Sequence, residues 1–187
     1  MAGTIEMKTK RLTLRRYRPE DAGPLHQMFG IDPAMYQYSG WNPYATIEMT
    51  EESVRRCIEG YADCHSYGWA IEAKDRLVGT IGAYDYSPER NSIEVGLSIA
   101  RDCWGLGYAT EALKTVLSYL TGDEGIATVT GWCASENAGS ARAMEKAGME
   151  RTGVETGSLT VRNRTFDKLL FQYDCKSGPP LEITGNP

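Results

Sequence analysis

Histidine is nearly absent from this chain: His26 and His65 are its two copies in 187 residues. The five cysteines, Cys57, Cys64, Cys103, Cys133 and Cys175, stand at irregular spacings with no Cys-x-x-Cys pair. That set offers no zinc site of familiar spacing, and the odd count argues against a disulfide framework. A Cys–His nucleophile would need one of two histidines that no spacing ties to Cys103. We therefore expect scattered reduced thiols and no metal. No apolar run approaches twenty residues, so no spanning helix and no membrane partner are expected. The opening residues M-A-G-T-I-E-M-K-T-K contain no apolar signal segment, which makes a cytoplasmic location the expectation. A basic surplus is missing too. Twenty Lys and Arg face 25 Asp and Glu, for a formal charge of −5. Direct nucleic-acid binding wants a concentrated basic surface. The one short basic run, Lys8–Arg18, alternates with Leu12 and Leu14 as a strand edge does.

Periodicity divides what is present. Thr9–Arg16 alternates and predicts a half-buried strand. Pro19–Phe29 predicts a helix, with Ala22, Leu25, Met28 and Phe29 on one face and Pro24 early enough to be tolerated. Gly30–Thr46 is rich in turn residues and aromatics and reads as a cover over one end of a sheet, either a lid or a packed loop. Met49–Cys64 predicts a second helix with Thr50 as its cap. Tyr67–Glu72, Leu77–Tyr86 and Ser92–Ala100, joined by short turns, predict an antiparallel meander. In the third strand Ile93, Val95, Leu97 and Ile99 share one face, and Glu94, Gly96 and Ser98 the other. Ala127–Cys133 is a further strand. Ala138–Ala147 is a short helix capped by Asn137 and ended by Gly148. Met149–Ser158 and Val161–Asp174 close the chain as a hairpin, and a tail follows from Ser177. Neither a repeat nor a linker is visible, so one domain over 1–187 is expected.

The stretch Asp102–Leu120, D-C-W-G-L-G-Y-A-T-E-A-L-K-T-V-L-S-Y-L, organises the rest. Ala109, Ala112, Leu113, Val116, Leu117 and Leu120 form one apolar stripe at helical spacing, and Glu111 suits the positive end of the helix dipole. The glycine turn before it places unpartnered N–H groups where an anion can sit. Gly105 and Gly107 permit the tight turn and a close approach by a ligand. It matches neither nucleotide fingerprint: Thr110 stands where the Rossmann pattern needs glycine, and no Gly-Lys-Ser/Thr follows.

Two blocks together, W-G-L-G-Y-A-T-E-A at 104–112 and S-E-N-A-G-S-A-R-A-M-E-K-A-G-M at 135–149, resemble the GCN5-related N-acetyltransferase (GNAT) superfamily. The likeness is strongest to its ribosomal-protein-alanine N-acetyltransferase-like branch. T-K-R-L-T-L-R-R at 9–16, E-V-G-L-S-I at 94–99 and V-R-N-R-T-F-D-K-L-L-F at 161–171 add to it, so the likeness covers about 9–174. The resemblance implies an α/β fold with a mixed, splayed central sheet flanked by helices on both sides. It implies acetyl-CoA as acyl donor, lying between Ser92–Ala100 and Ala127–Cys133. Cys103, Trp104, Gly105, Leu106, Gly107, Tyr108, Ala109 and Thr110 would cradle the diphosphate. The pantetheine arm would pair with the backbone of Val95 and Leu97, with Asn137 against the arm and Ser140 near the thiol or diphosphate end. One departure stands out. Asp102 occupies the position where the family usually has Gln or Arg, and a carboxylate there must point away from phosphate.

The reaction so implied is direct attack by a primary amine on the thioester. It needs a neutral amine, a donor for the carbonyl oxygen and a proton for the leaving thiolate. An α-amine with a pKa of about 7.8 is roughly 15% neutral at pH 7, against about 0.04% for a lysine amine. Glu94 is the first candidate base and Glu136 a weaker one. Ser140 is the candidate acid, with Tyr84, Tyr86 or Tyr173 as unranked substitutes. A backbone N–H within Val95–Ser98 is the expected oxyanion donor. Tyr38, Trp41 and Trp132 are candidates for the acceptor wall, with Glu48, Glu51 and Glu52 nearby for a cationic acceptor. The acceptor is expected to be a protein N-terminus or a small-molecule amine, and the protein a monomer or homodimer. A non-catalytic acyl-CoA sensor of the same fold, or a purely structural module, would leave the glycine turn equally intact.

Overall fold

The computed structural model describes residues 1–38, 42–161 and 163–175. Trp41 and the tail expected from Ser177 lie outside them. The described strands form one eight-stranded sheet in the order β1-β2-β3-β4-β5-β6-β8-β7. These are β1 (Met7–Lys8), β2 (Thr13–Arg15), β3 (Tyr67–Ala73), β4 (Arg76–Ser87), β5 (Ser92–Ile99), β6 (Thr128–Ala134), β7 (Glu150–Val161) and β8 (Arg164–Asp174). Every neighbouring pair is antiparallel except β5 with β6, which is parallel.

Alternation along β3 shows how the sheet is covered. Trp69 and Ile71 join the main core with the stripe of α4 (Tyr108–Gly122). Ala70, between them, packs with Leu25 of α1 (Ala22–Leu25) and Val54 of α3 (Ile47–Gly60). Successive strand side chains face opposite ways, so helices lie on both faces. The α4 stripe is as expected: Ala112, Leu113, Val116, Leu117 and Leu120 are all buried. α5 (Ala138–Ala147) shares that face through Met144 and Ala147, with Asn137 as its cap and Gly148 as its left-handed end.

Several boundaries differ from the periodicity reading, each for a local reason. Of Thr9–Arg16 only Thr13–Arg15 is strand, because Thr9–Leu12 is a turn closed by the Thr9 N–H and the Leu12 carbonyl at 2.9 Å, and β1 lies before it. The basic run is more than an edge. Arg15 is buried between Asp21 at 2.8 Å and Glu72 at 2.6 Å. Pro19–Phe29 becomes a 3-10 turn, α1 and a widened π turn at His26–Gly30. α3 starts at Ile47, two residues before Met49. Thr46 is extended and its hydroxyl accepts the Met49 N–H at 3.2 Å, whereas Thr50 is buried with its hydroxyl donating to the Thr46 carbonyl at 2.8 Å. The stretch after Gly30 holds α2 (Pro33–Tyr36), capped by Asp32. It is anchored rather than loose at its described ends: a Cβ on Gly30 would run into the Tyr44 carbonyl oxygen.

Candidate active site

The parallel ladder has three rungs, Ser92–Thr128, Ile93–Val129 and Glu94–Thr130. Both strands continue past the last rung, but with different neighbours. β5 stays with β4 to the Ile99–Gly79 pair, and β6 stays with β8 to Ala134–Lys168. The two halves of the sheet twist apart between them, and a cleft opens. The Val95 carbonyl faces Gly131 across its base, while the Ser98 carbonyl points the other way, against Gly79. Backbone groups alternate in direction along a strand, so the Leu97 N–H and carbonyl point into the cleft. The Ile99 carbonyl, next in that row, accepts the Trp104 indole N–H at 2.7 Å.

Beyond β5 the chain enters the glycine turn. Gly105 and Gly107 have φ of +77° and +82°, the left-handed region that disfavours side chains. The Trp104 N–H bonds the Arg101 carbonyl, and the first rung of α4 runs from the Glu111 N–H to Gly107 at 3.1 Å. The N–H groups of Tyr108, Ala109 and Thr110 precede that ladder, and the Gly107 cap has no side chain to accept them. Nothing would meet a Cβ on Gly105 within 4 Å, so the space beside the turn is open. Among the side chains of the turn, Trp104 and Leu106 are exposed and Cys103 is not. Cys103 is buried with Sγ 3.0 Å from Arg76 Nη2, and burial pushes its thiol up. Of the expected cradle residues, Cys103 and Trp104 thus have their side chains engaged in the fold.

Asp102 turns away from the cradle. Its carboxylate pairs with Arg76 Nη1 at 2.7 Å, and that hydrogen bond holds it below the usual carboxylate range. Arg101 reaches Asp32, the α2 cap, at 3.3 Å. Two residues that spacing did not single out brace the turn. Arg11 donates to the Leu106 carbonyl at 2.8 Å and to Glu111 Oε2 at 2.7 Å, and lies 5.0 Å over the Tyr108 ring. Thr9 donates to Glu111 Oε1 at 2.6 Å. Arg11 is about a hundred residues from Glu111 in sequence, so no local pattern joins them.

Glu94, Gly96 and Ser98 face the α1/α3 side of the sheet. Glu94 accepts the Trp132 indole N–H at 3.0 Å, a bond that spans the mouth of the cleft from β6 to β5. Tyr84, paired with Glu94 across β4 and β5, brings its hydroxyl to 2.9 Å from where a Cβ on Gly96 would stand. Desolvation around the hydroxyl and the Glu94 charge raise that phenol above its ordinary value, although the side chain as a whole is half exposed. Trp132 also packs in a small cluster with Tyr38 and Phe166. The Tyr38 and Phe166 rings meet edge to face at 5.5 Å, and Lys168 Nζ lies 4.6 Å over the indole. Glu94, Tyr38 and Trp132 therefore converge as candidates. Glu136 borders them, its carbonyl accepting the Tyr38 hydroxyl at 3.4 Å, but its carboxylate is taken by Arg164 at 2.9 Å. Others lie apart: Glu52 pairs with Arg55 and Arg56 on α3, and Tyr86 stacks on His65 at 4.6 Å. Tyr173 lies against Gly148. Ser140 opens α5 with its N–H donating to Asn137 Oδ1 at 3.1 Å, which gives Asn137 a capping role. Among the described residues, Asp63, Cys64 and His65 form the one grouping of metal-type donors, with ligand atoms within 4.8 Å.

The acetyltransferase (GNAT) domain family matches residues 11–150. A relative in Bacillus subtilis (strain 168), "Uncharacterized N-acetyltransferase YoaA", is 27% identical over 178 residues, covering 94% of this chain and 92% of its own. A GNAT-family acetyltransferase structure from Bacillus anthracis superposes with a TM-score of 0.79 at 24% identity, covering 91% of this chain and 98% of its own. The fold also matches RimL, a ribosomal L7/L12 α-N-protein acetyltransferase solved with coenzyme A, with a TM-score of 0.83 at 16% identity and coverage of 91% and 98%. No described helix is long and apolar enough to cross a membrane. A family match over most of the chain, on a sheet that splays where the two sequence blocks meet, makes this chain an acetyltransferase of the GNAT family.

Proposed function

We propose that the protein transfers an acetyl group from acetyl-CoA to a primary amine, either a protein N-terminal α-amine or a small-molecule amine. The observation that carries this reading is the end of the β5–β6 ladder at Glu94–Thr130, with the glycine turn at the far end of β5. The opening offers strand-type hydrogen bonds to an extended arm through Leu97, and the turn offers helix-start donors to a diphosphate. RimL, which shares the fold, was solved with coenzyme A.

In this reading the amine approaches from the Glu94 side of the sheet. Its nitrogen attacks the thioester carbon, a C–N bond forms, and the oxygen takes up charge beside a backbone N–H of Val95–Ser98. Glu94 accepts the proton released from nitrogen, directly or through water. The C–S bond then breaks, and the thiolate takes a proton from Ser140. Tyr84, paired with Glu94 across β4 and β5, is the tyrosine best situated to replace it. Trp132 holds the Glu94 carboxylate in place, and Tyr38 and Phe166 wall the acceptor side. One domain over 1–187 accounts for all these parts, and a monomer or a homodimer is compatible with them.

The test is release of free CoA thiol from acetyl-CoA in the presence of amines, amino acids and peptides with free N-termini. Turnover with an α-amine and none with the N-acetylated control supports the proposal. Tight acetyl-CoA binding with no thiol release for any acceptor would reassign the protein as an acyl-CoA sensor.

A further inference from the structure

We propose that Arg11 is a positioning residue for donor binding: it sets the orientation of the Leu106–Gly107 peptide, and so aims the Gly107 N–H at the diphosphate. The inference rests on the reading of the glycine turn as a diphosphate cradle. Arg11 is half exposed, yet each of its three guanidinium nitrogens has a partner. Nη1 donates to the Leu106 carbonyl at 2.8 Å, Nε donates to Glu111 at 2.7 Å, and Nη2 lies 2.6 Å from the same carboxylate.

A trans peptide carries its C=O and the following N–H on opposite sides. Holding the Leu106 carbonyl toward Arg11 therefore turns the Gly107 N–H away from Arg11, to the side where the N–H groups of Tyr108 and Ala109 open. A glycine turn left to itself has no such preference. Gly105 and Gly107 on either side of Leu106 make peptide flips cheap, and a flip would present a carbonyl oxygen to phosphate. The clamp itself is braced. Glu111 also accepts from Thr9 Oγ1 at 2.6 Å and from the Arg11 N–H at 3.1 Å, which fastens the β1–β2 turn to the first turn of α4. A Cβ on Gly107 would sit 3.3 Å from Arg11 Nη2, so the arginine lies against the back of the turn. Its charge is balanced by Glu111. The role assigned is thus the geometry of one peptide plane, distinct from direct pairing with phosphate.

Arg11→Met, Arg11→Lys and Gly107→Val proteins are compared for CoA affinity by calorimetry, and for turnover of an acetyl thioester that lacks the diphosphate, S-acetyl-N-acetylcysteamine. Arg11→Met is expected to weaken CoA by about tenfold, equivalent to about 1.4 kcal/mol. Turnover of the short thioester should stay at the wild-type rate, and the salt dependence of CoA affinity should keep its slope. Arg11→Lys, which retains one donor but not the fork, should fall between. If Arg11→Met fails to fold, the lysine variant carries the same comparison. Equal losses with CoA and the short thioester would reduce Arg11 to a general structural role. A flattened salt slope would make it a direct phosphate ligand. Weakening of CoA by Gly107→Val but not by the Arg11 variants overturns the orientation role and leaves the cradle standing. Unchanged CoA affinity in a folded Gly107→Val protein overturns the cradle reading itself.

Discussion

The two halves of the candidate site are built from different materials. The donor half, the cleft edge and the glycine turn, presents backbone. Leu97, Tyr108, Ala109 and Thr110 offer main-chain groups, while the side chains around them hold the turn in place: Arg76 on Asp102, Trp104 on the Ile99 carbonyl, Arg11 on Leu106. The acceptor half presents side chains, namely Glu94 from β5, Tyr84 from β4, Trp132 from β6, Phe166 from β8 and Tyr38 from the segment after α2. A backbone site needs only the right turn and tolerates many side chains, so it suits the part of a reaction common to a whole family. A side-chain site changes with every substitution, so it suits the part that differs between family members. Variants in the two halves should therefore separate cleanly into donor and acceptor phenotypes.

The sharpest separation is expected at Glu94. Glu94→Gln keeps the shape and a partner for the Trp132 N–H but cannot accept a proton. Loss of a general base costs on the order of 10²-fold or more. We expect kcat/KM for the amine to fall by that order at pH 7, with CoA affinity unchanged. The deficit should shrink as pH rises toward the acceptor amine's own pKa, because fewer amines then need a base. A rate equal to wild type across that range removes Glu94 from the proton path. Gly107→Val should give the mirror image. A non-glycine residue at φ +82° is strained by about 1–2 kcal/mol, and its side chain grows toward Arg11. CoA affinity should drop on the order of thirtyfold, measured by calorimetry, with acceptor discrimination unaltered. An altered acceptor ranking in that variant would show that the halves are not independent.

Their legibility in the sequence follows the same division. The α4 stripe, the meander and the Asn137 cap depend on local spacing, and each stands in the structure within a residue or two of its expected bounds. The glycine turn was visible because φ near +80° demands glycine. Alternation alone placed Glu94 opposite Ile93 and Val95. The Trp132–Glu94 bond crosses from one strand to another 38 residues on, and the Arg11–Leu106 bond crosses 95 residues. Such contacts exist only after the sheet has formed, and no window of sequence contains both partners. Asp102 is the instructive case. It looked unfavourable for a phosphate site because Arg76, its partner on the β3–β4 hairpin, is 26 residues earlier.

A smaller effect probes the acceptor half without touching the base. Trp132→Phe keeps an aromatic ring against Tyr38 and Phe166 but deletes the N–H that holds Glu94. A hydrogen bond to a charged group contributes about 1.5–3 kcal/mol when buried, and this one is part-buried, so the low end applies. The amine KM should rise about tenfold and CoA affinity should stay put. Steady-state kinetics with the amine varied at saturating acetyl-CoA would read this. A change in CoA affinity instead would place the indole on the donor side of the cleft.

The smallest effect tests the brace on the donor half. Burial alone would push Glu111 up, but hydrogen bonds from Thr9 and Arg11 outweigh it and leave its pKa lowered. A carboxyl lowered in the folded state contributes stability that is present above its unfolded value of about 4.3 and is lost as pH falls through the folded one. Glu111→Gln removes that contribution at pH 7 and has nothing left to lose in acid. Because Arg11 is half exposed, the pair contributes only about 1 kcal/mol or less. The variant should therefore melt a few degrees below wild type at pH 7 and bind CoA two- to threefold more weakly, as rough orders. The melting gap should narrow as pH falls below about 4.3 and close once wild-type Glu111 is itself protonated. A gap that stays the same size from pH 7 down into acid would mean that Glu111 braces the turn by shape and not by charge. The Arg11 clamp would then depend on its bond to Leu106 alone.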